Sequence, residues 1–292
     1  MKIGITGDRG DLCLRLIRHL EESFGPVEKI SLFGDEWKQK TFDYDVLVHI
    51  AGVIPKPGVT REQYYQVNGE LSRQVAEKAH ADGTRHVVVF STMAVYGMAP
   101  SMKKDGGIVG ADTPCHPDSD YGASKLQGEE AFRALEGDGF CISYLRIPSV
   151  YYEGNTLFMD VAREMYHRFP LFYPRLGEGL GRAAMHADSV CCCVVHIIRE
   201  QLCGIVCPQE APVLSLYDYM TLLNEHQEKP KRPSRLLGAA VRLLMLIKPE
   251  WKLIFGQIRY AESLAAATAQ ATDGADPRAL FSACLDLIDT HC

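Results

Sequence analysis

The chain has 292 residues, 47% of them hydrophobic and 23% charged, with a net charge of -6, enough apolar material for one large or two unequal globular domains. Its 31 Lys and Arg are scattered, which argues against a nucleic-acid partner. The apolar start meets a glycine-rich turn at once and no apolar run reaches the ~20 residues of a membrane span, so a cytoplasmic protein with no membrane partner is expected.

Strand-like and helical periods alternate from the N-terminus. The expected order is a strand at Lys2–Thr6, a helix at Leu12–Glu22, strands at Lys29–Phe33 and Asp45–Ile50, and a helix at Glu62–Ala81. A strand at His86–Ser91, a helix at Ser119–Leu135 and a strand at Cys141–Ile147 follow. The strands are apolar and β-branched throughout, as strands covered on both faces must be, so the pattern predicts an α/β fold built on a Rossmann-type, doubly wound parallel sheet. Only about a dozen residues lie between Phe33 and Val46, too few for a full crossover helix. One unit of the sheet is therefore expected to be trimmed there.

Beyond Ile147 the alternation weakens. Pro148, Gly154, Pro170, Pro174, Gly177, Gly179 and Gly181 cut the chain into short pieces, with helical patterns at Asn155–Phe169, Asp188–Gln201, Ser215–His226 and Pro233–Ile247 and a strand at Ile205–Cys207. Residues 1–150 are read as the main domain and 151–292 as a smaller substrate-binding region interleaved with it. The ten cysteines fit neither a disulfide framework nor a zinc site, so reduced thiols and no metal are expected. Cys191-Cys192-Cys193 points successive side chains around a helix and cannot converge on one ion.

Two segments carry chemistry. Thr6-Gly7-Asp8-Arg9-Gly10-Asp11-Leu12-Cys13 joins the first strand to the first helix, the setting in which glycines admit a pyrophosphate to backbone amides and a helix N-terminus supplies partial positive charge. Arg9 is placed to meet an adenosine 2'-phosphate, which favours NADP, whereas Asp35 is placed to meet a ribose, which favours NAD. Both also read as solvated loop charges. Tyr121-Gly122-Ala123-Ser124-Lys125 sets a phenol and an ammonium four residues apart on one helix face. A lysine charge near a tyrosine stabilises its phenolate and suits it to proton transfer at an alcohol. Spacing alone is met by chance on many solvated helices.

These segments occur in order with His49-Ile50-Ala51-Gly52, Val67-Asn68-Gly69, Ser91-Thr92-Met93-Ala94-Val95-Tyr96-Gly97, Leu145 to Tyr151, and Arg182 to Val190. The set, spread over roughly two-thirds of the chain, resembles the extended short-chain dehydrogenase/reductase family in its NAD(P)-dependent sugar-nucleotide epimerase/dehydratase branch. The resemblance implies that Gly7, Arg9, Gly10, Asp11, Leu12, Ala51, Gly52, Ser91, Pro148 and Val150 hold NAD or NADP together with Tyr121 and Lys125. It implies Tyr121 and Lys125 as the catalytic pair, with Thr92 as the hydroxyl that steadies the reacting oxygen. Thr92, Ser149 and Arg182 become substrate contacts, Arg182 through the nucleotide diphosphate or, alternatively, as a surface ion pair. His186 reads as a satisfied histidine at a helix start.

A nucleotide-sugar epimerase working through a keto intermediate is the implied function. A keto-sugar nucleotide reductase using NADPH, or a regulator that binds NAD(P) without turnover, are the alternatives. Dehydratases of the family carry an Asp-Glu pair after the Thr, where this chain has Met93 and Ala94. Further departures are Cys13 at the third glycine position, Ser149 for an asparagine and Tyr152 for a glycine. The helices at Glu62–Ala81 and Ser119–Leu135 match those that pair subunits in many members, which implies a homodimer.

Overall fold

The computed structural model describes residues 1–7, 9–97, 99–137, 139–153, 158–247, 255–269 and 276–280. In chain order it contains β1 (Ile3–Thr6), α1 (Asp11–Phe24), β2 (Val27–Ile30), β3 (Val46–His49) and α2 (Arg61–Tyr64), then a π-helical segment Tyr65–Leu71 that runs into α3 (Ser72–Asp82). Next come β4 (His86–Thr92), β5 (Ile108–Val109), α4 (Asp120–Arg133), β6 (Cys141–Ile147), β7 (Ser149–Tyr151), α5 (Phe158–His167), β8 (Phe172–Pro174) and β9 (Ala184–His186). The chain continues through α6 (Ala187–Arg199), β10 (Gly204–Val206), α7 (Leu216–Glu225), β11 (Arg232–Ser234), α8 (Arg235–Ile247), β12 (Arg259–Tyr260) and α9 (Glu262–Ala269).

Two compact units divide the chain. The first comprises Met1–Gly97, Asp112–Ile147 and Ala187–Pro208; the second comprises Met98–Ala111, Pro148–His186 and Gln209–Cys292. Because β10 joins the central sheet, residues 187–208 fall with the N-terminal unit. The division thus follows the sheet and not a single cut near residue 150.

In the first unit six strands lie in the order β10-β6-β4-β3-β1-β2, and every neighbouring pair is parallel. β1 has β2 on one side and β3 on the other, so the connections change direction there, and the crevice at the carboxyl ends of β1 and β3 is where such sheets take ligands. α1 buries Cys13, Leu16, Ile17 and Leu20 and packs against α6. Val75, Ala76, Ala79 and Phe132 pack with the sheet residues Leu47, Val87, Val89, Ile142 and Tyr144. A 3-10 turn, Glu36–Gln39, occupies the place of the missing crossover helix and buries Trp37 beside Phe42.

Three expectations change. β2 ends at Ile30, not Phe33, because its pairing with β1 begins at Ile3↔Val27 and is complete at Thr6↔Ile30. The helix expected at Glu62–Ala81 is interrupted by the π segment. The thiols are not all reduced: Cys141 and Cys203 form a disulfide with their Cα atoms 5.6 Å apart. The reason is sheet register. β6 and β10 are neighbours with Ser143 opposite Gly204, which brings the start of β6 to the residue before β10, a proximity that spacing along the chain does not reveal. Among the described residues no group of His, Cys, Asp and Glu has the arrangement of a metal site. No described helix is long and apolar enough to cross a membrane.

The second unit has its own core, in which Ala162, Met165 and Tyr166 of α5 meet Tyr219, Met220 and Leu223 of α7 together with Tyr151, Tyr173, Leu176, Val241 and Met245. Its strands are short parallel pairs, β7 with β9, β8 with β11 and β5 with β12. The start expected at Asn155 lies outside the described residues. The remainder of the stretch to Phe169 contains α5.

Candidate active site

The turn after β1 is shaped by two glycines. Gly7 has φ +89° and Gly10 φ +107°, a backbone region costly for residues with a Cβ. A Cβ on Gly7 would also come within 3.0 Å of the Ala51 backbone, whereas one on Gly10 would meet nothing within 4 Å. The turn is therefore closed on the side of β3 and open beside the N-terminus of α1. Gly10 is the N-cap and supplies no side-chain cap, and the N-terminus of a helix favours an anion. Leu12 is half-buried and Asp11 exposed at that end. Cys13 replaces the third glycine without disrupting the turn: it is buried and its thiol donates to the Gly7 carbonyl. Asp8 lies outside the described residues.

At the end of β2 the Arg9 guanidinium lies 4.7 Å from the centre of the Phe33 ring. Asp35 pairs with Lys38 at 2.6 Å, so its carboxylate already has a cation, while Arg9 is held on an aromatic face at the edge of the turn.

Ala51 and Gly52 follow β3, and Asn68 fixes the loop after them. The Val53 amide donates to Asn68 Oδ1 (2.8 Å), and Asn68 Nδ2 donates to Val53 O (2.9 Å) and to Ser124 Oγ (3.1 Å). Ser124 Oγ in turn donates to the Tyr121 carbonyl at 2.9 Å. Asn68 sits inside the π-helical segment, a rare backbone variant that is frequent at functional sites. Here the wider turn accompanies a buried asparagine that bonds both the β3 loop and α4. A Cβ on Gly128 of α4 would come within 2.4 Å of the Asn68 carbonyl, so glycine is needed there for the two helices to approach.

α4 starts at Ser119, whose side chain accepts from the Gly122 amide, and carries Tyr121 and Lys125 one turn apart. Lys125 is 8% exposed, and its ammonium lies 3.7 Å from where a Cβ of Gly52 would be. Burial lowers its pKa from 10.5 to about 8, an effect that the carboxylate of Glu129 opposes. Tyr121 is half-buried, its ring 5.9 Å from that of Tyr64. Desolvation raises its pKa, and a side-chain hydrogen bond with Thr92 partly offsets this. The expected lysine stabilisation of the phenolate is not among the influences on Tyr121, where burial dominates. Thr92 closes β4, and its hydroxyl also accepts from the Ala94 amide at 3.2 Å.

Beneath this group lies a buried ion pair that the sequence reading did not single out. Arg146 donates through Nε to Glu129 Oε1 (3.0 Å), through Nη2 to Glu129 Oε2 (2.6 Å) and through Nη1 to the Tyr96 hydroxyl (2.8 Å). Ser91, expected at the cofactor, donates its hydroxyl to Glu129, and its oxygen can still accept from another group. The available signals were an arginine inside the apolar run of β6 and a glutamate one turn beyond Lys125. His49 was likewise missed as an individual: buried between Thr6 Oγ1 (2.7 Å) and Ser72 Oγ (2.9 Å), it is pushed down to about 3 by desolvation and so is neutral near pH 7.

These residues fit a dinucleotide. The glycine turn, the open helix end and the Gly52 approach give a backbone-lined cradle, with Tyr121, Lys125 and Thr92 at its far side. The family model described as "NAD dependent epimerase/dehydratase family" matches residues 15–201. The chain belongs to the NAD-dependent epimerase/dehydratase family. No curated protein matches it. Among solved structures it is similar to UDP-glucuronic acid 4-epimerase from Bacillus cereus in complex with NAD, with 19% identity, TM-score 0.70 and 99% of each chain covered. Two others are WbmG from Bordetella bronchiseptica with NAD and UDP (16% identity, TM-score 0.69, 100% and 96% covered) and RMD from Pseudomonas aeruginosa with NADPH (13%, 0.70, 100% of each). At such identities the likeness establishes the shared fold. Together with the family match it makes the chain an NAD(P)-dependent enzyme of the extended short-chain dehydrogenase/reductase type.

The remaining expected site residues belong to the second unit. Pro148 is buried, and Ser149 and Val150 are half-buried on β7, opposite Ala184 and Met185 of β9. The Arg182 guanidinium donates to the Gly256 carbonyl at 3.3 Å, and burial lowers its pKa. The Arg182 residue is half-buried. His186 presents its ring edge-on to Tyr151 at 5.4 Å, and its amide donates to Glu210 at 2.8 Å.

Proposed function

We propose that the protein is a nucleotide-sugar epimerase acting at a hydroxyl-bearing sugar carbon through a keto intermediate. The convergence of Tyr121, Thr92 and the buried Lys125 beside the glycine turn carries this reading. Tyr121 is the acid/base: it takes the proton of the sugar hydroxyl and returns one to the carbonyl oxygen that forms. Thr92 steadies that oxygen through its hydroxyl. Lys125, held as a cation below about pH 8, stabilises the phenolate and orients the ribose of the cofactor. NAD(P), when bound, accepts hydride from the same carbon and gives it back, and return to the opposite face inverts the centre. In the second unit, Ser149 and Arg182 are the residues proposed for the nucleotide diphosphate. The relatives crystallised with UDP-glucose or UDP-glucuronic acid, MoeE5 among them, support a nucleotide sugar as the substrate class. Pairing of two copies through segments 62–81 and 119–135 completes the proposal, and light scattering that returned a monomer at working concentration would contradict it.

One-way reduction with NADPH is the second reading, favoured by Arg9 stacked on Phe33 where an adenosine 2'-phosphate would lie. Incubating the purified protein with UDP- and dTDP-sugars and each cofactor separates the readings. Retained NAD with interconversion of C4 epimers supports the first, and consumption of NADPH with a keto-sugar supports the second. Tight NAD(P) binding without any turnover would make the protein a regulator.

A further inference from the structure

α8 presents an apolar face that nothing among the described residues covers. Its core side consists of Gly238, Val241 and Met245. At about 100° per residue, Leu236, Leu243 and Ile247 fall together on the opposite side. They are 85%, 65% and 74% exposed, and Leu246 beside them is 75% exposed. Leu171 and Phe172 are also exposed, on the segment that forms β8, against which α8 packs. Scattered surface leucines are ordinary, but a contiguous stripe of this kind marks a binding face.

Charge identifies the occupant. From Lys229 to Ile247 there are five basic residues, Lys229, Lys231, Arg232, Arg235 and Arg242, and no acidic one, in a chain whose net charge is -6. Arg235 and Arg242, seven residues apart, share the edge between the core side and the leucine stripe. Both line a cavity of about 280 Å³ with Arg175, Glu178, Gly238 and Ala239. Glu178 pairs with Arg175 there through two hydrogen bonds, of 2.8 and 3.0 Å. An apolar stripe bordered by arginines matches a bilayer interface, where leucines enter the acyl boundary and guanidinium groups stay with phosphate headgroups.

We infer that α8 is an in-plane docking helix that binds the protein to an anionic lipid surface. The expectation of no membrane partner rested on the length needed to span a bilayer, and a helix lying in the interface is not subject to that length. The inference concerns the second unit alone and stands whether or not the proposed epimerase reaction is correct.

Co-sedimentation of the full chain with sucrose-loaded vesicles tests it. Binding is expected on mixed phosphatidylglycerol and phosphatidylcholine, falling with added salt and weak on phosphatidylcholine alone. Arg235→Gln with Arg242→Gln should weaken binding roughly 30-fold, from about a fivefold loss per basic residue. Leu243→Asp with Ile247→Asp should abolish it. Both pairs replace exposed side chains, so NAD(P) binding and the far-ultraviolet circular dichroism should be unchanged. Absence of vesicle binding, or equal binding by the variants, overturns the inference. So does a vesicle-independent dimer that Leu243→Asp dissociates, since the face would then belong to a second copy. Vesicle binding that emerges only after removal of residues 281–292 also overturns it, because the chain would then cover its own helix.

Discussion

The two ends of the central sheet share the same strands and do different work. At the carboxyl ends, β1 and β3 diverge into glycine-shaped loops that lead to the N-terminus of α1, and polar side chains are held by a relay from Val53 through Asn68 and Ser124 to Tyr121. At the amino ends lies a cavity of about 900 Å³, lined in part by Met1, Arg85, His86, Phe140, Cys141 and Cys203. A cavity is therefore present at the end of the sheet away from the candidate site. Its polar groups are tied to structure: Arg85 pairs with Asp45, His86 Nε2 lies 2.7 Å from Ser143 Oγ, and the disulfide joins β6 to the start of β10. Volume alone is a poor guide to function in such a sheet. Position at the carboxyl ends of the strands distinguishes the candidate site.

The contrast is sharpest at Tyr121. Tyr121→Phe should lower turnover by about 10²- to 10⁴-fold while leaving NAD(P) affinity and stability close to wild type, read by steady-state kinetics and cofactor titration. Full activity in this variant would remove Tyr121 from the mechanism. At the opposite end, Cys203→Ser should cost about 2–4 kcal/mol of unfolding free energy, because the bridge closes a loop with a sequence separation of 62. Cofactor affinity should not change, and a loss of binding in this variant would show that the two ends are not independent.

Gly7→Val should impair cofactor binding, since the positive φ alone costs a side chain roughly 1–2 kcal/mol and its Cβ would press on Ala51. A tenfold or greater rise in the NAD(P) dissociation constant is expected by fluorescence titration, with Gly25→Ala, remote from the turn, as the control. The smallest effect is one of pH. Activity should decline as pH rises through about 8, because Lys125 then loses its charge, and Lys125→Arg should remove that decline. Stability should move the other way. An unfolded lysine keeps its proton to about 10.4, so between these values the unfolded state binds more protons, and the contribution of this group to folding rises with pH. Denaturation midpoints that fell across that window with wild type and Lys125→Met alike would contradict the assignment.

The alternation of apolar strands with helical periods was sufficient to give the parallel sheet, because strands buried on both faces must be apolar along their whole length. The glycine turn after β1 and the placing of Tyr121 and Lys125 one turn apart on a helix were also legible, because both depend on local geometry, whereas Thr92 entered only through the resemblance to the family. Asn68 was visible within a motif, yet its bonds to Val53 and Ser124 join residues far apart in the chain. The Glu129–Arg146 pair and the disulfide were hidden for the same reason, as both depend on which strands become neighbours.

By itself, then, the sequence determined the fold class and the order of its elements, since hydrophobic period and turn chemistry act over a few residues. Tertiary structure alone decided how the charges are balanced. Packing buried Lys125 enough to lower its pKa, raised the pKa of Tyr121 by desolvation, brought Arg182 to the Gly256 carbonyl, and left the leucines of α8 facing outward. Each of these outcomes depends on how much water remains around a group once distant segments have packed against it.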